Sequence, residues 1–401
     1  MNYRVNTMRY RLKLSGIILA MMSMTAAADI TFNGFASIRA TAADSDGGEP
    51  PFSTFKGDGD ISFKDESLFA LQARADLTEG LSATVQLMAE GINDFEVEAR
   101  WAYVSYELSD RHRLSLGRFA NPIFFQSEYE KVGYAHNFSR LPTAVYIGFE
   151  FSTIEGIALD STFDFDDYVL DTKVLYGNWD GGAFFAVTGQ EESFALNDIM
   201  SIRATLTYDW WKIFAGAFVA EMDGGSIDQA VLNTFAAPGI AAAQALGATD
   251  ADVATFQEAV TWTGEDGLYW YSGFNIDYNN WIFDFEYASY QVEDSTDALN
   301  NVWYAALGYR FGSTVLTVHT EELTQDIDYD SLSPVQHPVL VATGRAIHDA
   351  LGAREFDGYG ISLRYDFHSN AALKMDYFSG EDTRPTVKDY TIWSVGIDLV
   401  F

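Results

Sequence analysis

Residues 393–401 read Trp-Ser-Val-Gly-Ile-Asp-Leu-Val-Phe, and the reading of the chain turns on them. Trp393, Val395, Ile397, Leu399 and Phe401 fall on one face and Ser394, Gly396, Asp398 and Val400 on the other, which is the period of a β-strand. The same pattern recurs upstream. Tyr359, Ile361, Leu363, Tyr365 and Phe367 oppose Gly360, Ser362, Arg364 and Asp366, and after the short break His368-Ser369-Asn370, Leu373, Met375 and Tyr377 oppose Lys374 and Asp376. Further back, Trp303 to Phe311 and Trp281 to Tyr287 alternate in the same way, separated by turn residues.

Seven tight turns punctuate the chain: Thr78 to Leu81, Ser109 to Arg113, Asp164 to Asp167, Tyr208 to Trp211, Tyr278 to Asn280, Gly312-Ser313 and His368 to Asn370. Seven hairpins with one further strand at each end, Ile30 to Ala40 and Asp389 to Phe401, predict sixteen strands. Poor alternation in Gly156 to Phe163 and Ile213 to Glu221 leaves fourteen or eighteen open. The intervening connections are longer, at about 41–66, 91–96, 120–155, 177–198, 222–266, 293–299, 325–355 and 381–388. Short turns at one rim and long loops at the other predict an all-β, transmembrane, antiparallel up-and-down barrel. A soluble β-sandwich would not require that asymmetry.

Composition narrows the function. The 401 residues hold 58 acidic and 24 basic side chains, a formal charge of −34, 48% hydrophobic residues, 15% aromatics and no cysteine. Thiol enzymes, cysteine zinc modules and disulfide scaffolds are excluded, and the acidic balance argues against nucleic acid as a partner. Arg4, Arg9, Arg11 and Lys13, the apolar run Leu14 to Met24 and Ala26-Ala27-Ala28 compose a cleavable signal over residues 1–28, leaving 29–401 as the barrel. Aromatics such as Tyr208, Trp210, Trp211, Tyr278, Trp281, Tyr309 and Phe311 fall near strand ends, where rings anchor at membrane interfaces.

The signal, the first strand Asp29-Ile30-Thr31-Phe32-Asn33-Gly34-Phe35, a strand ending Leu116-Gly117-Arg118 before a long third loop, and the terminal Phe401 resemble the Gram-negative outer-membrane porins of sixteen strands. The likeness covers the mature chain as architecture, though its motifs are short. It implies a water-filled channel in the cell outer membrane for passive diffusion of small hydrophilic solutes and ions, usually homotrimeric. It also implies contact with outer-membrane lipid and lipopolysaccharide, and a terminal Phe401 similar to the tag read by the barrel-assembly machinery. No cofactor, enzyme activity or nucleic-acid partner is implied.

If the apolar faces meet lipid, the opposite faces place Arg39, Arg74 and Arg100, with Arg118, on the first, second, fourth and fifth strands and Arg364 and Lys374 on the third- and second-last, as one cationic wall of the lumen. Asp284, Glu286, Arg203, Asp376 and Asp398 face inward too. Such a lumen is expected to hold water, because unpaired buried ions are costly. The resemblance implies that the loop near 120–155 folds inward and sets Glu128 and Glu130 against that wall, with Glu150 as a further candidate. Ordinary ion pairs fixing the loop are the alternative use of Arg118 and Glu128. The long loops 222–266 and 325–355 read as partly helical, over Asp228 to Val260 and Pro338 to Leu351. Asp44-Ser45-Asp46-Gly47 lacks the remaining ligands of a calcium loop, so no metal is expected. Two other classes stay in view: a barrel enzyme, for which His319 beside Glu321 is the one hint, and an adhesin. A substrate-specific channel is the nearest alternative to general diffusion.

Overall fold

In the computed structural model, residues 29–45, 55, 58–146, 151–185, 190–352, 354–383 and 389–401 are described; residues 1–28, where a signal is expected, and Glu150 lie outside them. Sixteen strands close into one barrel: β1 (Asp29–Ser45), β2 (Leu68–Thr78), β3 (Leu81–Glu90), β4 (Val97–Ser109), β5 (His112–Ala120), β6 (Thr153–Phe165), β7 (Tyr168–Phe185), β8 (Gln190–Tyr208), β9 (Trp211–Asp223), β10 (Asp266–Tyr278), β11 (Trp281–Val292), β12 (Leu299–Phe311), β13 (Thr314–Asp326), β14 (Glu355–His368), β15 (Ala371–Asp382) and β16 (Tyr390–Val400). Every neighbour pairs antiparallel, and β1 with β16 completes the ring, so no edge is left for another chain. All seven short turns join strands where the sequence places them.

The alternation of β16 is met residue by residue. Trp393 and Ile397 are exposed on the outer face, while Ser394 and Asp398 are buried inside. Around the short-turn rim the outward rings form a belt: Trp281 lies 4.7 Å from Tyr309, Tyr309 4.6 Å from Phe311, and Trp210 5.4 Å from Tyr278. Such a belt places the polar edges of the rings at one boundary of an apolar band. At the seam, Phe401 exchanges both backbone hydrogen bonds with Gly34 and stacks on Phe69. A Cβ at Gly34 would stand 2.3 Å from the Phe401 ring, so the first strand needs glycine there to seat the terminal ring.

Two boundaries differ from the sequence expectation. The region 177–198 is not a loop throughout, because β7 runs to Phe185 and β8 starts at Gln190. Register shifts between Gly177 and Trp179 and between Asn197 and Met200 break the period-2 signal there while the strands continue. β1 continues to Ser45, because its upper edge, beyond the end of β2, is paired by the first loop at Thr41 with Ser62 and Asp44 with Asp58.

The long fifth and seventh connections build a cap. Helices α2 (Gly225–Ala230), α3 (Ala237–Ala245) and α4 (Asp250–Glu258) pack with α5 (Pro338–Gly352) through Ile227, Val231, Phe256, Leu332, Leu340 and Ile347, while a shorter helical turn, α1 (Thr143–Tyr146), lies in the third loop. Asp228 ties the ends of the fifth loop by accepting from the backbone N–H of Trp262 at 2.8 Å and Thr263 at 3.1 Å. Phe194 and Trp262 pack against both the cap and the aromatics inside the barrel, so cap and lumen share one apolar continuum.

Candidate functional site

The third loop, residues 121–152, leaves β5 at Asn121-Pro122, where proline cannot continue the ladder, and crosses the inside of the barrel. Its anchors come from nearly the whole circumference. On β8, Arg203 donates to the carbonyls of Pro122 and Phe124 at 2.9 and 3.0 Å and lies over the Phe214 ring. On β11, Glu286 accepts from the Phe125 N–H at 2.9 Å and the Tyr146 hydroxyl at 2.5 Å, and also from Tyr304 at 2.6 Å. On β13, Glu321 accepts from Thr143 Oγ1 and the Ala144 N–H, capping the first turn of α1 where free donors point.

The opposite flank is held by cations. Lys374 Nζ donates to the carbonyls of Gly133, His136 and Phe138 and sits 3.2 Å from Asp398. Arg364 donates to the carbonyls of Tyr134 and His136, both at 2.9 Å. Arg39 forms a bidentate pair with Asp398 at 2.9 and 2.8 Å and donates to Ser139. Gly133 lets the loop approach β16, since a Cβ there would meet the Asp398 carboxylate at 2.6 Å. Cations are suited to this flank because the loop turns a row of carbonyls toward it, and charge-assisted hydrogen bonds are the strong ones.

The loop therefore divides the lumen. Toward β8–β15 the space is filled: Phe124, Phe138 and Tyr146 interleave with Phe214, Phe218, Tyr269, Tyr271, Tyr304, Phe356, Phe378 and Tyr390, all buried. This corrects the expectation of a wholly wet lumen. Arg203, Glu286 and Glu321 there do not need water, because each hydrogen-bonds the loop backbone, Asp284 accepts from Asn275, and aromatic rings occupy the remaining volume. His319 belongs to the dry side, 5.8 Å from both the Phe138 and Phe378 rings.

Toward β1–β5 a chamber of about 640 Å³ remains, bounded by the third loop, the first loop and the wall. Arg140 of the third loop reaches Glu66 of the first at 2.7 Å and Asp376 of β15 at 2.9 Å, with its face 5.3 Å from the centre of the Phe55 ring. Burial raises the Glu66 pKa, but Arg140 and then Arg39 outweigh it and hold the carboxyl below its ordinary value. Lys131 pairs with Glu90 at 2.9 Å and Glu130 at 3.5 Å; burial lowers its pKa, and the two carboxylates carry it above the usual value. His136 is driven well below its ordinary pKa by burial and then by Lys374, so it is neutral at physiological pH.

The residues chosen from sequence are distributed among three settings. Arg39, Arg364 and Lys374 hold the loop, with few of their donors free. Arg100 lines the chamber 3.7 Å from Glu130. Arg74 lies toward the short-turn end, paired with Asp76 at 3.2 Å. Arg118 does not join a cationic wall: its ladder row holds the outward Val85, Ala102 and Glu155, and it pairs with Glu155 at 3.1 Å. Nor does Glu128 face that wall, because it pairs with Lys173 of β7 at 2.8 Å, and Lys173, ahead of the opposing cost of burial, lowers its pKa. Sequence reasoning missed Glu66, Lys131 and Arg140, three loop residues with no periodicity to mark them.

No family model matches the chain, and no curated protein matches it by sequence. Solved structures do match. The outer membrane channel DcaP of Acinetobacter baumannii superposes with a TM-score of 0.57 at 12% identity over 94% of this chain and 99% of that one. OmpF of Salmonella typhi, in complex with daunomycin, gives 0.55 at 11% over 93% and 98%. An anion-selective porin from Comamonas acidovorans gives 0.54 at 11% over 93% and 100%. The fold is that of the outer-membrane porins. At these identities the likeness concerns the path of the chain, so the contacts of this porin-fold barrel rest on its own residues.

Proposed function

We propose that the protein is an outer-membrane channel through which small hydrophilic solutes and ions diffuse passively, without catalysis. The observation that carries this reading is the polar chamber of about 640 Å³ left beside the crossing loop inside a closed barrel. A folded loop that fills one side of the lumen and leaves the other polar restricts passage by size and hydration. Export through the 1–28 signal and assembly through the Phe401 strand belong to the same reading. So does a homotrimer, supported by exposed apolar side chains on the first two loops and their flank, Ile61, Phe63, Ile92, Phe95 and Val97.

The enzyme alternative finds little support in the side chains. Glu321 is committed to Thr143 and Ala144, and His319 lies between aromatic rings. Ser331 and His348 approach to 3.2 Å, but both are buried in the cap, away from any substrate. Refolded mature protein in a planar bilayer tests the proposal. Discrete current steps are expected, and a heat-modifiable, folded barrel that never conducts would overturn it.

A further inference from the structure

Setting aside Arg118, whose row faces outward, the four basic residues on the chamber lining each already have a carboxylate within 4.0 Å: Arg39 with Asp398, Arg100 with Glu130, Lys131 with Glu90, and Arg140 with Glu66. Two of them have a second, since Arg140 also meets Asp376 and Lys131 also meets Glu130. The acidic side of the lining is in excess. Among the described residues, Asp65, Glu98 and Asp180 line the same chamber with no cation within that distance.

Glu98 is the best placed of these. It stands opposite Met88 in the β3–β4 ladder, and Met88 is buried in a cluster with Phe35 and Ala70 against which Val132 of the crossing loop packs, so the row faces inward. Its side chain is exposed, and among the described residues no ion pair holds it. Asp65 lies on the first loop, accepting from Ser62, below a rim that carries exposed Asp44, Asp58 and Asp60. Among the described residues of that segment the one lysine, Lys64, is engaged by Asp94.

From this we infer that the chamber is a cation-selective passage, with Glu98 and Asp65 as the carboxylates that set its preference. An anion entering meets guanidinium and ammonium groups already paired with carboxylates, whereas a cation meets carboxylates with no cation beside them. In a narrow space with low-dielectric walls such a surplus focuses the field and raises the local concentration of the opposite ion. The solutes favoured are small cations and amine-bearing molecules. The fold neighbour described as anion-selective shares the barrel path, so the distinction lies in side chains rather than architecture.

The inference rests on the channel reading, and a bilayer experiment separates the two. Reversal potentials are measured across a KCl gradient for the wild type, Glu98→Gln and Glu98→Lys, each first checked for heat-modifiable folding. A preference of about threefold or more for K⁺ over Cl⁻ is expected at low salt, decreasing toward 1 M as the Debye length shortens to about 3 Å. Glu98→Gln should reduce the ratio and Glu98→Lys reduce it further or invert it. Anion preference in the wild type, or a cation preference that neither variant moves, overturns the inference while leaving the channel reading intact. Absence of conductance in the folded wild type overturns the channel reading instead.

Discussion

The two sides of the crossing loop solve the same problem by different chemistry. Toward β8–β13, carboxylates Glu286 and Glu321 accept from N–H and hydroxyl donors, and rings close the volume around them. Toward β14–β16 and β1, the cations Arg364, Lys374 and Arg39 take the loop's carbonyl and hydroxyl oxygens, and beyond them the chamber stays open. The sign of the anchor follows the backbone group presented: donors at the start of a helical turn call for carboxylates, and a run of carbonyls calls for cations. What keeps one side closed is interleaved ring packing, whereas the other stays open among paired charges, although Phe55 and Trp179 are on its lining.

The largest expected effect is on the cationic flank. Lys374→Met removes the donor from the Gly133 carbonyl, leaves the His136 and Phe138 carbonyls to Arg364 and the His136 ring alone, and frees part of Asp398; loss of one member of a buried charge network costs about 3–5 kcal/mol. Conductance should rise and fluctuate as residues 133–138 detach, and the unfolding midpoint in urea should fall. An unchanged single-channel trace would remove the cationic clamp from the account. Glu286→Leu probes the dry side. It orphans the Phe125 N–H and two tyrosine hydroxyls, at a cost of about 3 kcal/mol, yet interleaved rings should keep the loop seated. Lower stability with little change in conductance is therefore expected, and a conductance jump equal to that of Lys374→Met would erase the difference between the sides.

Acidification acts on the latch between the loops. The folded-state pKa of Glu66 lies below its ordinary 4.5, so the stability it contributes is fully present above that value and is lost as pH falls through the lowered one. Glu66 faces Arg140, Arg39 and Thr41, with Asp376 on the far side of Arg140. Conductance should be level from neutral pH down to about 4.5 and change only below it. A transition near pH 6 would point to another group. The smallest effect belongs to Arg118→Ala, which removes a pair whose side chains are 41% and 61% exposed. Less than about 1 kcal/mol of stability and no change in ion preference are expected in denaturation and reversal-potential measurements.

The middle strands explain where reading the sequence stops. Ile213 to Glu221 alternates poorly because Phe214, Phe218 and Ala220 face inward against aromatics of the dry side, so both faces are apolar and the period disappears. β16 and β14 were legible because their inward residues are Ser394, Asp398, Ser362 and Arg364. At the site, inward direction could be read for Arg39, Arg364 and Lys374, which sit on regular strands. Their partners could not, since Glu66, Lys131 and Arg140 come from loops whose path no local rule fixes.

By itself the sequence determined the barrel, its short-turn rim and a count of sixteen strands with fourteen or eighteen left open, because period-2 patterning and turn chemistry act over a few residues. Only the tertiary structure decided that the third loop is clamped from nearly every quarter of the wall, that one side of it is filled by aromatic rings, and that the cations of the chamber are paired with carboxylates. Those outcomes depend on groups up to 359 residues apart, as in Arg39 with Asp398, meeting at hydrogen-bond distance. Which charges cancel is a property of distance in space, and spacing along the chain does not encode it.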